Sequence, residues 1–139
     1  MIGSWDLQVA IYDALKIAGI TGGRIYDQRA PLYNVTYPFT QIGATEARNV
    51  DAIGISGVEE TLPLHIWDRG NEEGGQRGIK NVKEISAQID ALLNGQSINI
   101  EGRDSAFCIV TGFDPIDEAD PLTAHGVVTL QVRHYKKQD

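Results

Sequence analysis

The sequence predicts an α+β fold in which a mostly antiparallel sheet carries two amphipathic helices on one face. Three observations point there. Two stretches place apolar residues three and four apart, the helical repeat. Several others alternate apolar and polar residues, the strand repeat. The strands also follow one another in groups after each helix, in the order α-β-β-β-α-β-β-β, which favours antiparallel pairing with the helices on one side.

The first helix is read from Leu7, Ala10, Ile11, Ala14, Leu15 and Ala18, with Ser4 or Asp6 as its cap and Gly19 as its stop. Thr21-Gly22-Gly23 is a turn, and Arg24 to Asp27 is short and β-like. Pro31 and Pro38 bar the stretch from Gln28 to Tyr37 from the middle of a sheet, so it is an extended loop. Phe39 to Arg48 reads as one strand and Asn49 to Val58 as a mobile connection. Glu59 to Arg69 is a clearer strand, with Leu62, Leu64 and Ile66 against Pro63, His65 and Trp67. Pro63 removes a ladder donor, which predicts an edge position or a bulge. Gly70 to Gly78 is a glycine-rich loop without apolar side chains.

The second helix is the strongest element. Ile79, Val82, Ile85, Ile89, Leu92 and Leu93 form its apolar face, charged and polar residues fill the other side, and Gly95 ends it. Ser97 to Glu101 and Ser105 to Phe113 are expected to pair as a hairpin across the turn Gly102 to Asp104. Asp114 to Pro121 is an acidic loop, and His125 to Tyr135 is the last strand.

The chain has 139 residues and is read as a single domain spanning 1–139, long enough to close a hydrophobic core. Its formal net charge of −7 speaks against a duplex-DNA reader, which needs clustered Lys and Arg. One cysteine, Cys108, excludes an intrachain disulfide and a cysteine-based zinc site. The N-terminus lacks the basic and apolar regions of a signal peptide, and no apolar run is long enough to span a membrane.

No catalytic, metal or cofactor site is expected. Gly54-Ile55-Ser56-Gly57 is one residue short of a nucleophile elbow. His65, His125 and His134 sit on strands without the helical spacing of a metal pair. Cys108 lies among Phe107, Ile109 and Val110 and is expected to act as a small hydrophobe. The glycine loop lacks the Lys-Ser/Thr ending of a phosphate cradle. Asp114, Asp117, Glu118 and Asp120 lack the spacing of a calcium loop.

Several segments together resemble a known family. They are Leu7 to Leu15, Gly23 to Asp27, the prolines Pro31 and Pro38 with Phe39 to Gly43, Leu64 to Arg69, the helix from Ile79 to Leu93, and Gly126 to Val132. Their succession resembles the tail-completion, or tail-terminator, proteins that join head and tail in long-tailed bacteriophages, prophages and gene transfer agents. The resemblance implies an α+β subunit of a ring, expected to be a hexamer, at the head-proximal end of a tail tube. Such a ring ends tube polymerisation and meets the head connector, DNA passes through its lumen, and no reaction is catalysed. The implied partners are further copies of the chain, the major tail-tube protein and the connector or stopper protein. No membrane is involved, and the implied location is the virion tail, with the host cytoplasm during assembly. An acidic lumen suits sliding DNA, because like charge disfavours sticking.

Trp67, Arg69, Arg48, Val50, Ile53 and Ile55 are the candidate partner contacts, and Asp114, Asp117, Glu118 and Asp120 the candidate lumen acids. For Trp67 a second, helix-covered core face is the alternative to an interface anchor. The alternative for the whole chain is a non-catalytic adaptor that forms no ring.

Overall fold

A computed structural model describes residues 5–27, 35–70 and 77–137. The expected cap Ser4, most of the Gln28 to Tyr37 loop and most of the glycine-rich loop lie outside them. The chain runs α1 (Trp5–Ile17), a 3₁₀ turn (Ile20–Gly23), β1 (Ile25–Asp27), β2 (Phe39–Ile42), β3 (Glu46–Asn49), β4 (Gly57–Arg69), α2 (Arg77–Leu93), β5 (Arg103–Ile116) and β6 (Thr123–Lys136). The fold is α+β, as the periodicities predict. Six strands form one sheet in the order β1-β2-β4-β6-β5, with β3 also on β4. Every pair is antiparallel except β1 with β2.

The core follows from the two repeats. Alternation turns Leu62, Leu64 and Ile66 of β4 and Val128, Leu130 and Val132 of β6 to one side of the sheet. Against them lie Leu7, Ile11 and Leu15 of α1 and Val82, Ile85, Ile89 and Leu93 of α2. Both helices therefore share one core on one sheet face. Cys108 is fully buried there, and burial pushes its thiol up to about 11, so it is un-ionised at neutral pH. Asn81 of α2 donates to Asp68 at the end of β4 at 2.8 Å, fixing the start of the helix over the sheet.

Helix α1 ends on Gly19 at φ +72°, and Thr21, Gly22 and Gly23 continue at φ +48°, +64° and +80°. This left-handed run reverses the chain into β1. Thr21 holds it by hydrogen bonding to Thr40 of β2 at 3.1 Å, both side chains being buried.

Four sequence expectations change. Phe39 to Arg48 is not one strand. β2 and β3 both lie on β4, but the register advances from Ile42↔Leu64 to Glu46↔Thr61, four residues against three. The extra residue falls opposite Pro63, whose carbonyl accepts from Gly43 N–H at 2.8 Å and whose own nitrogen has no hydrogen to offer. β4 is thus central rather than an edge, and the irregularity is placed in its partner, as a bulge. A Cβ on Gly43 would stand 2.8 Å from the Pro63 ring, so the bend also needs a glycine there.

Second, Asn49 to Val58 is not a long mobile connection. Asn49 belongs to β3 and Gly57 and Val58 to β4, and Ala52 and Ile55 exchange both backbone hydrogen bonds in a tight turn between them. Third, Ser97 to Glu101 forms only a bridge from Ser97 to Phe107. The hairpin partner of β5 is β6, which it follows from Arg103↔Lys136 to Ile116↔His125 with register shifts after Arg103 and after Val110, burying Ala106 and Cys108 against the core. Fourth, Asp114, Pro115 and Ile116 extend β5, which shortens the acidic loop.

Gly126 admits both Phe113 and α2. A Cβ there would stand 2.5 Å from Phe113 Cε2 and 2.7 Å from Val82 Cγ1. Gly126→Ala is expected to destabilise the fold by about 1–3 kcal/mol through overpacking, read as a lower urea midpoint at unchanged slope.

Candidate interaction surface

The same alternation that fills the core puts a second set of side chains on the other side of the sheet. Among the described residues no helix or strand packs over that face. It divides into an aromatic end and a charged middle.

At the aromatic end, Phe39 of β2, Trp67 of β4 and His125 of β6 are cross-strand neighbours, since Phe39 pairs with Trp67 and Trp67 with His125. Their rings stack at 6.2 Å and 3.6 Å, and Tyr26 meets Phe39 edge-on at 5.6 Å. Trp67 therefore lies on the face that no helix covers among the described residues. His125 is buried with both ring nitrogens engaged. Nδ1 is 2.7 Å from Glu118 Oε1, and Nε2 is 2.8 Å from His65 Nδ1. Burial, and then the neighbouring His125, hold the His65 imidazole below its usual pKa. The two histidines and Glu118 tie the turn after β5 to the middle of the sheet, which is a structural use of all three.

The charged middle is built on Glu59. Its side chain is buried, while Arg48 and Arg133 reach it from β3 and β6, each at 2.6 Å. Gln131 donates to it at 3.1 Å. The hydrogen bond from Arg133, reinforced by Arg48, holds the Glu59 carboxyl below the usual carboxylate range. A depressed pKa contributes stability above the unfolded value, near 4.5, and that stability is lost as pH falls through the lower folded value. Thermal melts of wild type and Glu59→Gln are therefore expected to converge as pH drops below 4.5 and to separate above it. Beside Glu59 lies a hollow of about 300 Å³ lined by Phe107, Ile109, Gln131, Arg133 and Tyr135.

The candidate partner contacts scatter. Arg48 and Trp67 lie on the open face, in its charged and aromatic parts respectively. Val50, Ile53 and Ile55 belong to the turn between β3 and β4, with Ile53 fully exposed at its tip. Arg69 ends β4 and pairs with Asp120 at 3.2 Å. The four acids share the β5–β6 end of the sheet. Asp114 and Asp117 are exposed, Glu118 accepts from His125, and Asp120 accepts from Leu122 N–H and Thr123.

Two features were missed in the sequence. Glu59 and Glu60 look like ordinary strand polar residues, yet both are buried, on opposite faces of β4. Glu60 Oε2 lies 2.6 Å from His134 Nε2 inside the core. Alternation alone signalled this, because Glu60 and His134 stand in phase with Leu62 and Val132.

Comparison with known proteins agrees with this architecture. The model of the family described as tail completion protein gp17 matches residues 9–135. A chain in a solved structure titled "Virion of native gene transfer agent (GTA) particle" superposes with a TM-score of 0.68 at 14% identity. The superposition covers 93% of this chain and 94% of that one, and the likeness is one of fold. None of the curated protein sequences compared with it matches. With nearly its whole length matched, the chain belongs to the tail completion protein gp17 family.

Proposed function

We propose that this structural protein of a phage-type tail is a terminator, a ring subunit that closes the head-proximal end of the tail tube. The ring is a hexamer. It stops tube polymerisation, offers the head connector its seat and lets DNA through its lumen without specific binding. The work is done by surfaces, with no reaction catalysed. The protein is assembled in the host cytoplasm and ends in the virion. The observation that carries this reading is the family match across residues 9–135. The geometry supports it, because the polar groups brought together serve the fold while a whole sheet face is left for partners. Arg48, Trp67, Arg69 and the turn bearing Val50, Ile53 and Ile55 are assigned to contacts with the tube, the connector or a second copy. Asp114 and Asp117, with Glu118 and Asp120 behind them, are assigned to the lumen, where negative charge keeps DNA mobile.

The test is polymerisation of the tail-tube protein from the same genome, followed by electron microscopy. Adding the chain is expected to cap one end of each tube and halt growth there. Tubes that lengthen without limit in its presence would overturn the terminator role and leave the adaptor without a ring.

A further inference from the structure

His125 is buried, and its two ring nitrogens do opposite work. Nδ1 lies 2.7 Å from Glu118 Oε1, and Nε2 lies 2.8 Å from His65 Nδ1. A carboxylate only accepts, so Nδ1 carries the hydrogen that Glu118 accepts and Nε2 keeps its lone pair. His65 Nδ1 then donates to that lone pair. The result is a relay of three titratable groups, one each from the turn after β5, from β6 and from β4. The Trp67 ring lies 3.6 Å from the His125 ring at 11° to it and closes one side.

Shut in this way, the two imidazoles have room for one added proton. The hydrogen between the rings can be held from either side, so a proton on either ring is accommodated. A second would set N–H against N–H across the 2.8 Å contact, with two cationic rings stacked at 5.0 Å. Two separated imidazoles in water each take a proton near pH 6.5. His125 cannot turn away from the conflict while Glu118 holds Nδ1 and Trp67 lies on its ring. The other ionisable groups around the pair are few. Tyr26 of β1 stands beyond Gln41, and Asp114 of β5 beyond Val127, in the same row of the sheet as His65. Asp114 and Asp117 are exposed, where water screens them, and Arg69 at the end of β4 is paired with Asp120.

We propose that Glu118, His125 and His65 form an acid-released latch on the turn between β5 and β6, shut at neutral pH and opened when both imidazoles take a proton. Burial, and then His125, hold His65 below the ordinary histidine value. Its contribution to the shut state is therefore present above about pH 6.5 and is lost as pH falls through the lower folded value. The turn has room to move, because a hollow of about 330 Å³ lies between it and the start of α2 at Gly78 and Ile79. Its far end stays fastened. The Leu122 carbonyl accepts from Gly70 N–H at 2.8 Å, and Asp120 accepts from Leu122 N–H and Thr123. The Leu122 N–H, with help from Thr123 and Arg69, holds the Asp120 carboxyl below its usual range, so this tie outlasts the one at Glu118 on acidification. If the acids of the turn line the lumen, as proposed above, the latch sets whether that wall is rigid or mobile, but the latch itself does not depend on that placement.

The experiment compares the full-length chain with His65→Gln, whose side-chain amide still donates to His125 Nε2 but takes no proton. Circular dichroism melts at each pH establish that both are folded. Amide exchange read by mass spectrometry, corrected for the intrinsic pH dependence of exchange, gives the opening of residues 114–123. Wild-type opening is expected to be flat from about pH 8 to 7 and to rise by up to about tenfold per pH unit once His65 titrates, one extra proton per opening. In His65→Gln the rise is expected to vanish. Imidazole-nitrogen NMR of wild type is an independent reading, with the hydrogen expected on Nδ1 of both rings at neutral pH. Wild-type opening that does not change down to pH 5 would overturn the latch, and so would an equal rise in His65→Gln. Two doubly protonated rings in a turn that is still protected would overturn it as well, even if the variant does not fold. All of these are read on the isolated chain and leave the terminator reading untouched, whereas tubes that outgrow the chain would overturn that reading and leave the latch standing.

Discussion

Ile89→Asp is expected to abolish the cooperative unfolding transition of this domain. Ile89 is fully buried on α2, in the core between that helix and the sheet. Removing its side chain forfeits about 1.5–3 kcal/mol of burial. The new carboxylate must either ionise in an apolar site or take up a proton, and each course costs several kcal/mol more. A domain of this size holds only about 5–15 kcal/mol in total. The check is urea unfolding followed by circular dichroism, with Ile89→Leu as the control. The control keeps the volume and is expected to lose less than about 1.5 kcal/mol. A sharp transition at the wild-type midpoint in Ile89→Asp would mean that α2 does not seal the core as described.

His134→Ala is expected to destabilise the fold by about 1–3 kcal/mol, the cost of leaving a buried polar group without its hydrogen-bond partner. His134 is 0% and Glu60 2% exposed, and they touch at 2.6 Å across the β4–β6 ladder. Without the imidazole, Glu60 loses the donor on Oε2 in a site that water does not reach. Glu60→Ala should cost a similar amount for the mirrored reason. The double variant should lose less than the sum, because once one partner is gone the other no longer contributes the pair interaction. The coupling expected between contacting residues is about 0.5–3 kcal/mol. Urea midpoints of the four proteins in a double-mutant cycle measure it, and strictly additive losses would show that the pair does not act as a unit.

The two predictions differ in where their warrant came from. The importance of Ile89 was legible in the sequence. Its helix repeats at a local spacing, and local spacing survives whatever the rest of the chain does. The same holds for Leu7, Ile11 and Leu15, for the alternation of Leu62, Leu64 and Ile66, and for Gly19 and Gly95 as helix stops. The pairing of Glu60 with His134 was not legible, since 74 residues separate them and only the β4–β6 register brings them opposite. Glu59 with Arg133, and His65 with His125, arise from that same register.

The sequence by itself determined the class of the fold, the two helices, the core stripe of each element and the resemblance that family membership bears out. It did so because helix and strand periodicity are properties of neighbours in the chain. The tertiary structure alone decided that β4 is central, that Phe39 to Arg48 breaks opposite Pro63, that β5 pairs with β6, and that one sheet face is left open among the described residues. Those outcomes depend on which strands meet, and pairing is settled by burial summed over distant segments.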